Sequence, residues 1–111
     1  MSGADEGKLA ALQGLAQLVL DARLSEVKAL ARARDESLAR LADLNRSFEV
    51  ADLHPVAAAE AEIRFQRWAD LRRAEVNETI ARQNVRLEEL RDAAHLAFGR
   101  ATALSRLGGK G

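Results

Sequence analysis

The sequence predicts an all-α fold, a long antiparallel two-helix coiled-coil hairpin. Pro55 is the single proline among 111 residues, and it separates two long proline-free segments. Aromatic residues make up 4% of the chain, whereas Ala, Leu, Arg and Glu are abundant, a composition typical of long helices. Each segment repeats apolar residues at steps of four and three, which is the pattern of a coiled coil.

The composition also limits the class of protein. The chain has no Cys, which excludes a disulfide framework and thiolate metal sites. Its formal net charge is zero, so no overall field attracts nucleic acid. The first residues carry acids ahead of an apolar stretch that is shorter than the roughly 20 residues needed to cross a bilayer. We therefore expect a cytoplasmic protein with no transmembrane segment and no bound nucleic acid.

The first helix is predicted at residues 8–47, after a disordered N-terminus at 1–7. Its apolar stripe steps by four and three along Leu20, Leu24, Val27, Ala31, Leu38 and Leu41, with Arg34 in phase. Upstream, the same pattern appears one residue out of phase at Leu9, Leu12, Ala16 and Val19. This offset predicts a skip that locally unwinds the supercoil without ending the helix.

An elbow is predicted at residues 48–55, because Pro55 disfavours helix at His54 and suits the first turn of a new helix. The second helix is predicted at 56–107, followed by a flexible tail at 108–111. The apolar stripe of this helix contains Ala61, Phe65, Trp68, Val76, Ile80, Gln83, Leu87, Leu90, Ala94, Ala97, Ala101 and Leu104.

A short elbow between two long helices favours an antiparallel hairpin. Folding about residue 52 is predicted to pair Ala16 with Leu87, so that the second helix runs on past the start of the first. The alternative is that the two helices belong to a larger homo-oligomeric bundle.

The sequence offers no candidate for catalysis or cofactor binding. The two histidines, His54 and His95, lie far apart and neither has a carboxylate–histidine cluster with metal-ligand spacing. We expect no catalytic residue, no metal, no cofactor and no enzyme activity.

Two groups of apolar residues exceed what a two-helix stripe needs, and such an excess can mark a binding surface. The first is at the predicted open end, where no charged residue occurs between Lys8 and Asp21. Its candidate partner-binding residues are Leu15, Leu18, Phe98, Leu104 and Leu107, with the basic residues Arg100 and Arg106. The alternative is that the chain termini fold over these side chains.

The second group is aromatic and lies near the elbow, at Phe48, Phe65 and Trp68. Trp68 packed against Phe65 and the end of the first helix, with Arg64 stacked on its ring, would form a hydrophobic plug. The alternative is a docking site anchored by aromatic side chains.

With its leucine-repeat first helix, its elbow and its charged second helix, the chain resembles the FliJ family of flagellar type III export components and their YscO-type injectisome counterparts. The more specific positions are Ile80, Gln83, Leu87, Leu90, Phe98, Ala101, Leu104 and Leu107.

The resemblance implies an antiparallel coiled coil whose open end enters the ring of a hexameric export ATPase. It also implies contacts with an export gate protein and with export chaperones, at a cytoplasmic location peripheral to a membrane-bound apparatus. The rival hypothesis is a generic coiled-coil adaptor or a self-associating helical bundle with no export role.

Overall fold

The chain folds into two long helices that pack against each other as an antiparallel hairpin, which confirms the predicted fold class. The computed structural model describes residues 2–46 and 54–109. Helix α1 spans Gly3–Leu44 and helix α2 spans Pro55–Gly109.

Helix α1 begins at Gly3, so most of the segment predicted to be disordered is helical. Ser2 caps this end: its Oγ accepts the backbone N–H of Asp5 at 3.3 Å, and its carbonyl accepts the N–H of Glu6 at 3.1 Å. Asp5 and Glu6 also place negative charge in the first turn, where the helix dipole favours it. The S-x-x-D spacing of Ser2 and Asp5 is a capping signal, and the prediction overlooked it.

The start of α2 agrees with the prediction to within one residue. Pro55 occupies its first position, and His54 caps it by accepting the N–H of Val56 on Nδ1 at 3.3 Å and the N–H of Ala58 on its carbonyl at 2.8 Å. Helix α1 ends three residues earlier than predicted, and α2 continues through two glycines predicted to be tail. Residues 47–53, most of the predicted elbow, lie outside the described residues, as do 110 and 111.

The buried stripe of α1 is a single heptad pattern, and the predicted skip is wrong. Buried and half-buried residues follow steps of four and three through Leu9, Gln13, Ala16, Leu20, Arg23, Val27, Leu30, Arg34, Ser37, Leu41 and Leu44. Four of these residues are polar, whereas the leucines at 12, 24 and 38 are about half exposed. The prediction followed leucines rather than spacing, and it therefore placed part of the stripe one residue away.

The buried stripe of α2 contains every predicted residue except Trp68, and it also includes Ala69 and Arg73. Ala69 is fully buried, whereas Trp68, which was predicted to lie in the stripe, is 48% exposed. The steps Ala61, Phe65, Ala69 and Arg73 are each of four residues, so the stripe winds around the helix here instead of alternating four and three. An alternating pattern, as the prediction assumed, reaches Trp68 instead.

Two compact units make up the hairpin, and each contains a segment of both helices. In the terminal unit, Met1–Ala31 with Val85–Gly111, Gln13 Nε2 donates to the Leu104 carbonyl at 2.8 Å. In the elbow unit, Arg32–Asn84, Arg73 Nη2 donates to the Leu44 carbonyl at 2.8 Å. These contacts set the register of the two helix segments within each unit.

This register corrects the predicted pairing. Ala16 lies beside Ala97 and Leu104 rather than near Leu87, and Leu104 is matched by Gln13. Helix α2 therefore does not overhang the start of α1. Helix α2 instead extends beyond α1 at its own N-terminal end. It begins roughly five turns before Arg73, the residue that contacts the end of α1. Folding the chain symmetrically about residue 52 neglected that offset.

Candidate partner-binding surface

The terminal unit carries an open apolar groove of about 440 Å³ between α1 and α2. Seven of its eight lining residues are apolar, and the eighth is an arginine. They are Leu12, Leu15, Ala16 and Val19 from α1, and Ala97, Arg100, Ala103 and Leu104 from α2.

The groove exists because the two helices contribute side chains of unequal size. Leu12 and Val19 flank the buried stripe of α1, and Leu15 lies between them along the axis but further around the helix from the stripe. The facing positions on α2 include Ala97 and Ala103, whose methyl groups are too short to cover them. The larger side chains therefore stay exposed, and Leu15 is 58% accessible to solvent.

Leu18 extends this apolar surface onto the outer face of α1. It is 68% exposed and lies three residues after Leu15, which makes the two neighbours on the helix surface. Leu18 does not line the groove. The prediction that Leu15 and Leu18 point away from the helix-helix contact agrees with these positions.

Arg100 is the charged residue of the groove. It is exposed, and among the described residues no carboxylate lies within ion-pair distance of it. Other arginines of the terminal unit do have such partners: Arg23 pairs with Glu26 at 2.9 Å and Arg86 with Glu89 at 3.0 Å. The guanidinium of Arg100 is thus available to an external acidic group.

The structure divides the predicted open-end residues between two sides of the hairpin. Leu15, Arg100 and Leu104 line the apolar groove. Phe98 and Arg106 line a second, more polar groove together with Gln17, Leu20, Ala101, Thr102 and Ser105. Leu107 is exposed near the end of α2. The prediction grouped these residues by sequence distance, whereas the helical angle separates them.

Within the described residues, the aromatic cluster near the elbow differs from the predicted plug in two respects, the exposure of Trp68 and the arginine that stacks on it. The rings of Phe65 and Trp68 are 5.9 Å apart, but Trp68 lies off the buried stripe. Arg72, not Arg64, lies over the Trp68 ring, at 5.7 Å. Long helical side chains lean towards the N-terminus, so Arg72 reaches back over Trp68 while Arg64 leans away, towards Glu60 at 3.6 Å. Phe48 lies outside the described residues.

Two polar contacts that sequence reasoning missed fix the ends of the helices. Gln13 reaches the Leu104 carbonyl near the end of α2, and its amide lies so close to Gly108 that a side chain there would contact it. Arg73 binds the end of α1 through Leu44 and Asn45. The sequence contains a signal for the Gln13 contact, because Gln13 lies seven residues before Leu20 and therefore occupies the same heptad position in the buried stripe.

The described residues contain no group of three His, Cys, Asp or Glu side chains placed to hold a metal ion. His54 caps α2 and His95 is exposed. Within the same residues, neither helix has a stretch both long and apolar enough to cross a membrane.

No family model, curated protein or solved structure matches the chain.

Proposed function

We propose that the chain is a non-enzymatic coiled-coil component of a flagellar or other type III protein export apparatus. Its terminal unit docks on a hexameric export ATPase, and its body contacts an export gate protein and export chaperones. The protein acts in the cytoplasm, peripheral to the membrane-bound apparatus. The observation that carries the docking proposal is the apolar surface of the terminal unit, which the hairpin itself leaves uncovered.

The docking proposal is supported by the unfavourable free energy of exposing this apolar surface to water. Leu12, Leu15 and Leu18 are each more than half exposed, and all three lie within two turns of α1. Removing apolar surface from water contributes about 25 cal/mol per Å². A protein partner that covers these side chains therefore gains binding free energy that the hairpin alone does not use.

The export assignment rests on the resemblance of nearly the whole chain to the FliJ family. Its more specific positions include Gln83, Leu87 and Leu90, which are buried or half-buried between the helices. These positions support the hairpin architecture. The choice of an ATPase as the partner depends on the family resemblance together with the exposed leucines.

A second candidate function is a self-associating helical bundle or generic adaptor. Leu24 and Leu38 favour it, because both are nearly half exposed beside the buried stripe of α1. Hairpins that pack through both flanks form a bundle. Sedimentation of the isolated chain separates the candidates: a stable dimer or tetramer supports the bundle, and a monomer supports docking on another protein.

The decisive experiment replaces Leu15 and Leu18 together by Glu. Both side chains are exposed, so the double variant should stay helical with a melting temperature close to that of the wild type. Moving two charged side chains from water into an apolar socket costs several kcal/mol, so binding to a hexameric export ATPase should be lost in a pull-down and in ATPase stimulation.

Leu71→Glu is the matched control, since Leu71 is 70% exposed but lies in the elbow unit. It should leave ATPase binding unchanged. A folded Leu15→Glu/Leu18→Glu variant that still binds the ATPase would remove the export proposal.

A further inference from the structure

We infer that the apolar groove of the terminal unit binds an amphipathic helix of a partner protein, and that a carboxylate on that helix pairs with Arg100. This inference deepens the proposed function, because it names the kind of segment that docks. It rests on the premise that the terminal unit binds another protein.

The shape of the groove favours a helix as the occupant. Its two walls are antiparallel helical segments that run side by side, residues 12–19 of α1 and 97–104 of α2, each about two turns long. A third helix laid along them presents side chains at steps of three and four, which is how amphipathic helices fill grooves. Ala103 on the α2 wall is exposed and ends in a methyl group, which leaves room beside it for a leucine-sized side chain of the partner.

The charge of the groove selects the partner. Arg100 is the charged lining residue, and within the described part of the chain it lacks an acidic partner. A covered Arg100 would lose hydration without a compensating ion pair unless the occupant supplied a carboxylate. An arginine–carboxylate pair is charge-assisted and often bidentate, so it fixes the register of the docked helix as well.

A second copy of this chain is a poorer occupant. Two grooves brought face to face would contribute two Arg100 guanidinium groups and no carboxylate from their lining residues. Like charges at such an interface disfavour association. An acidic helix from a different protein meets both the apolar and the basic character of the groove.

A charge-swap selection tests the inference. The probe is a displayed library of helical peptides with leucines at alternating steps of four and three and one fully randomised flanking position. Against the wild-type chain, Asp and Glu should be enriched at that position. Against Arg100→Glu, Lys and Arg should be enriched instead. Arg106→Glu is the matched control: Arg106 lies in the second groove, and this variant should retain the acidic preference.

A selected acidic peptide should bind Arg100→Glu at least about tenfold more weakly than the wild type in a fluorescence titration. Ala103→Phe should abolish binding by filling the groove, and because Ala103 is exposed the helical circular dichroism signal should be unchanged. Failure to enrich any peptide, enrichment without acidic preference, or equal weakening by Arg106→Glu would overturn the inference. Two further results would overturn it. One is a dimer of the wild-type chain that Ala103→Phe dissociates, and the other is binding of the wild-type chain to anionic vesicles that Arg100→Glu alone abolishes.

The two proposals fail separately. If the export assignment fails but the wild-type chain still selects acidic peptides through Arg100, the groove is a helix-binding site of another system. ATPase binding that depends on Leu15 and Leu18 but shows no effect of Arg100→Glu keeps the proposed function and removes the groove inference.

Discussion

Arg73 of α2 holds the last residue of α1: its Nη2 donates to the Leu44 carbonyl at 2.8 Å, and its Nε donates to Asn45 Oδ1 at 2.9 Å. The last turn of α1 contains no basic residue of its own. Arg73 therefore brings to this terminus both a hydrogen-bond donor and the positive charge that a helix C-terminus favours. Gln13 of α1 makes the corresponding contact near the end of α2, with the Leu104 carbonyl.

Replacing Arg73 by Ala should destabilise the protein by about 2 kcal/mol, because hydrogen bonds from a charged donor contribute roughly 1.5–3 kcal/mol each. Arg73→Lys should recover part of the loss through its charge alone. Arg67→Ala is the control, since Arg67 is exposed and makes no ion pair among the described residues. Urea unfolding monitored by circular dichroism measures these differences. Equal effects at 67 and 73 would show that the contact with Leu44 contributes nothing.

Gln13 and Gly108 should show energetic coupling. Gln13→Ala should cost about 1 kcal/mol through loss of the bond to Leu104. Gly108→Ala should stabilise the helix by up to about 1 kcal/mol, because Ala has the higher helix propensity. The new methyl group would also displace the Gln13 amide, which occupies its space. Gly108→Ala should therefore stabilise the Gln13→Ala background more than the wild type. A double-mutant cycle with no interaction energy would contradict the close approach of the two residues.

Trp68 should tolerate truncation better than a core aromatic residue does, whereas the neighbouring Ala69 should not tolerate a larger side chain. Trp68 is 48% exposed, so Trp68→Ala should cost about 1–2 kcal/mol, less than the 3–5 kcal/mol of a core aromatic. Ala69 is fully buried, and Ala69→Leu should cost about 1–3 kcal/mol by overpacking. Thermal melts of both variants test the register of this turn. If Trp68→Ala lowers stability more than a core Leu→Ala change does, Trp68 belongs to the buried stripe.

Arg34 and Gln83 form a polar layer in the elbow unit. The register places them opposite each other, and Arg34 Nε and Gln83 Oε1 are both buried without a hydrogen-bond partner. Replacing both by Leu should raise the free energy of unfolding by roughly 1–3 kcal/mol, since a buried polar atom without a hydrogen-bond partner destabilises the folded state. Arg32→Leu, at an exposed position, should change it little.

A decrease in stability in the Arg34→Leu/Gln83→Leu variant would mean that the two side chains bond to each other in solution. Sedimentation should accompany the measurement, because a continuous apolar stripe relaxes the preference of a coiled coil for one register and one oligomeric state.

Much of the local structure was predictable because it depends on neighbouring residues. Pro55 marked the start of α2, and the spacing of Ile80, Leu87 and Leu90 marked its buried face. The outward position of Leu15 and Leu18 also followed from the helical angle. The capping pair Ser2 and Asp5 was present in the sequence but was not used, so the start of α1 was placed too late.

The sequence by itself determined two helices and most of the buried face of α2, because helical period and capping are set by residues a few positions apart. Only the tertiary structure decided the register, the polar residues in the stripe of α1 and the groove beside Arg100. Gln13 meets Leu104 across 91 positions of sequence, and Arg73 meets Leu44 across 29. Such contacts depend on which side chains face each other across the hairpin, and a pattern that repeats every seven residues fits equally well when one helix slides by a heptad.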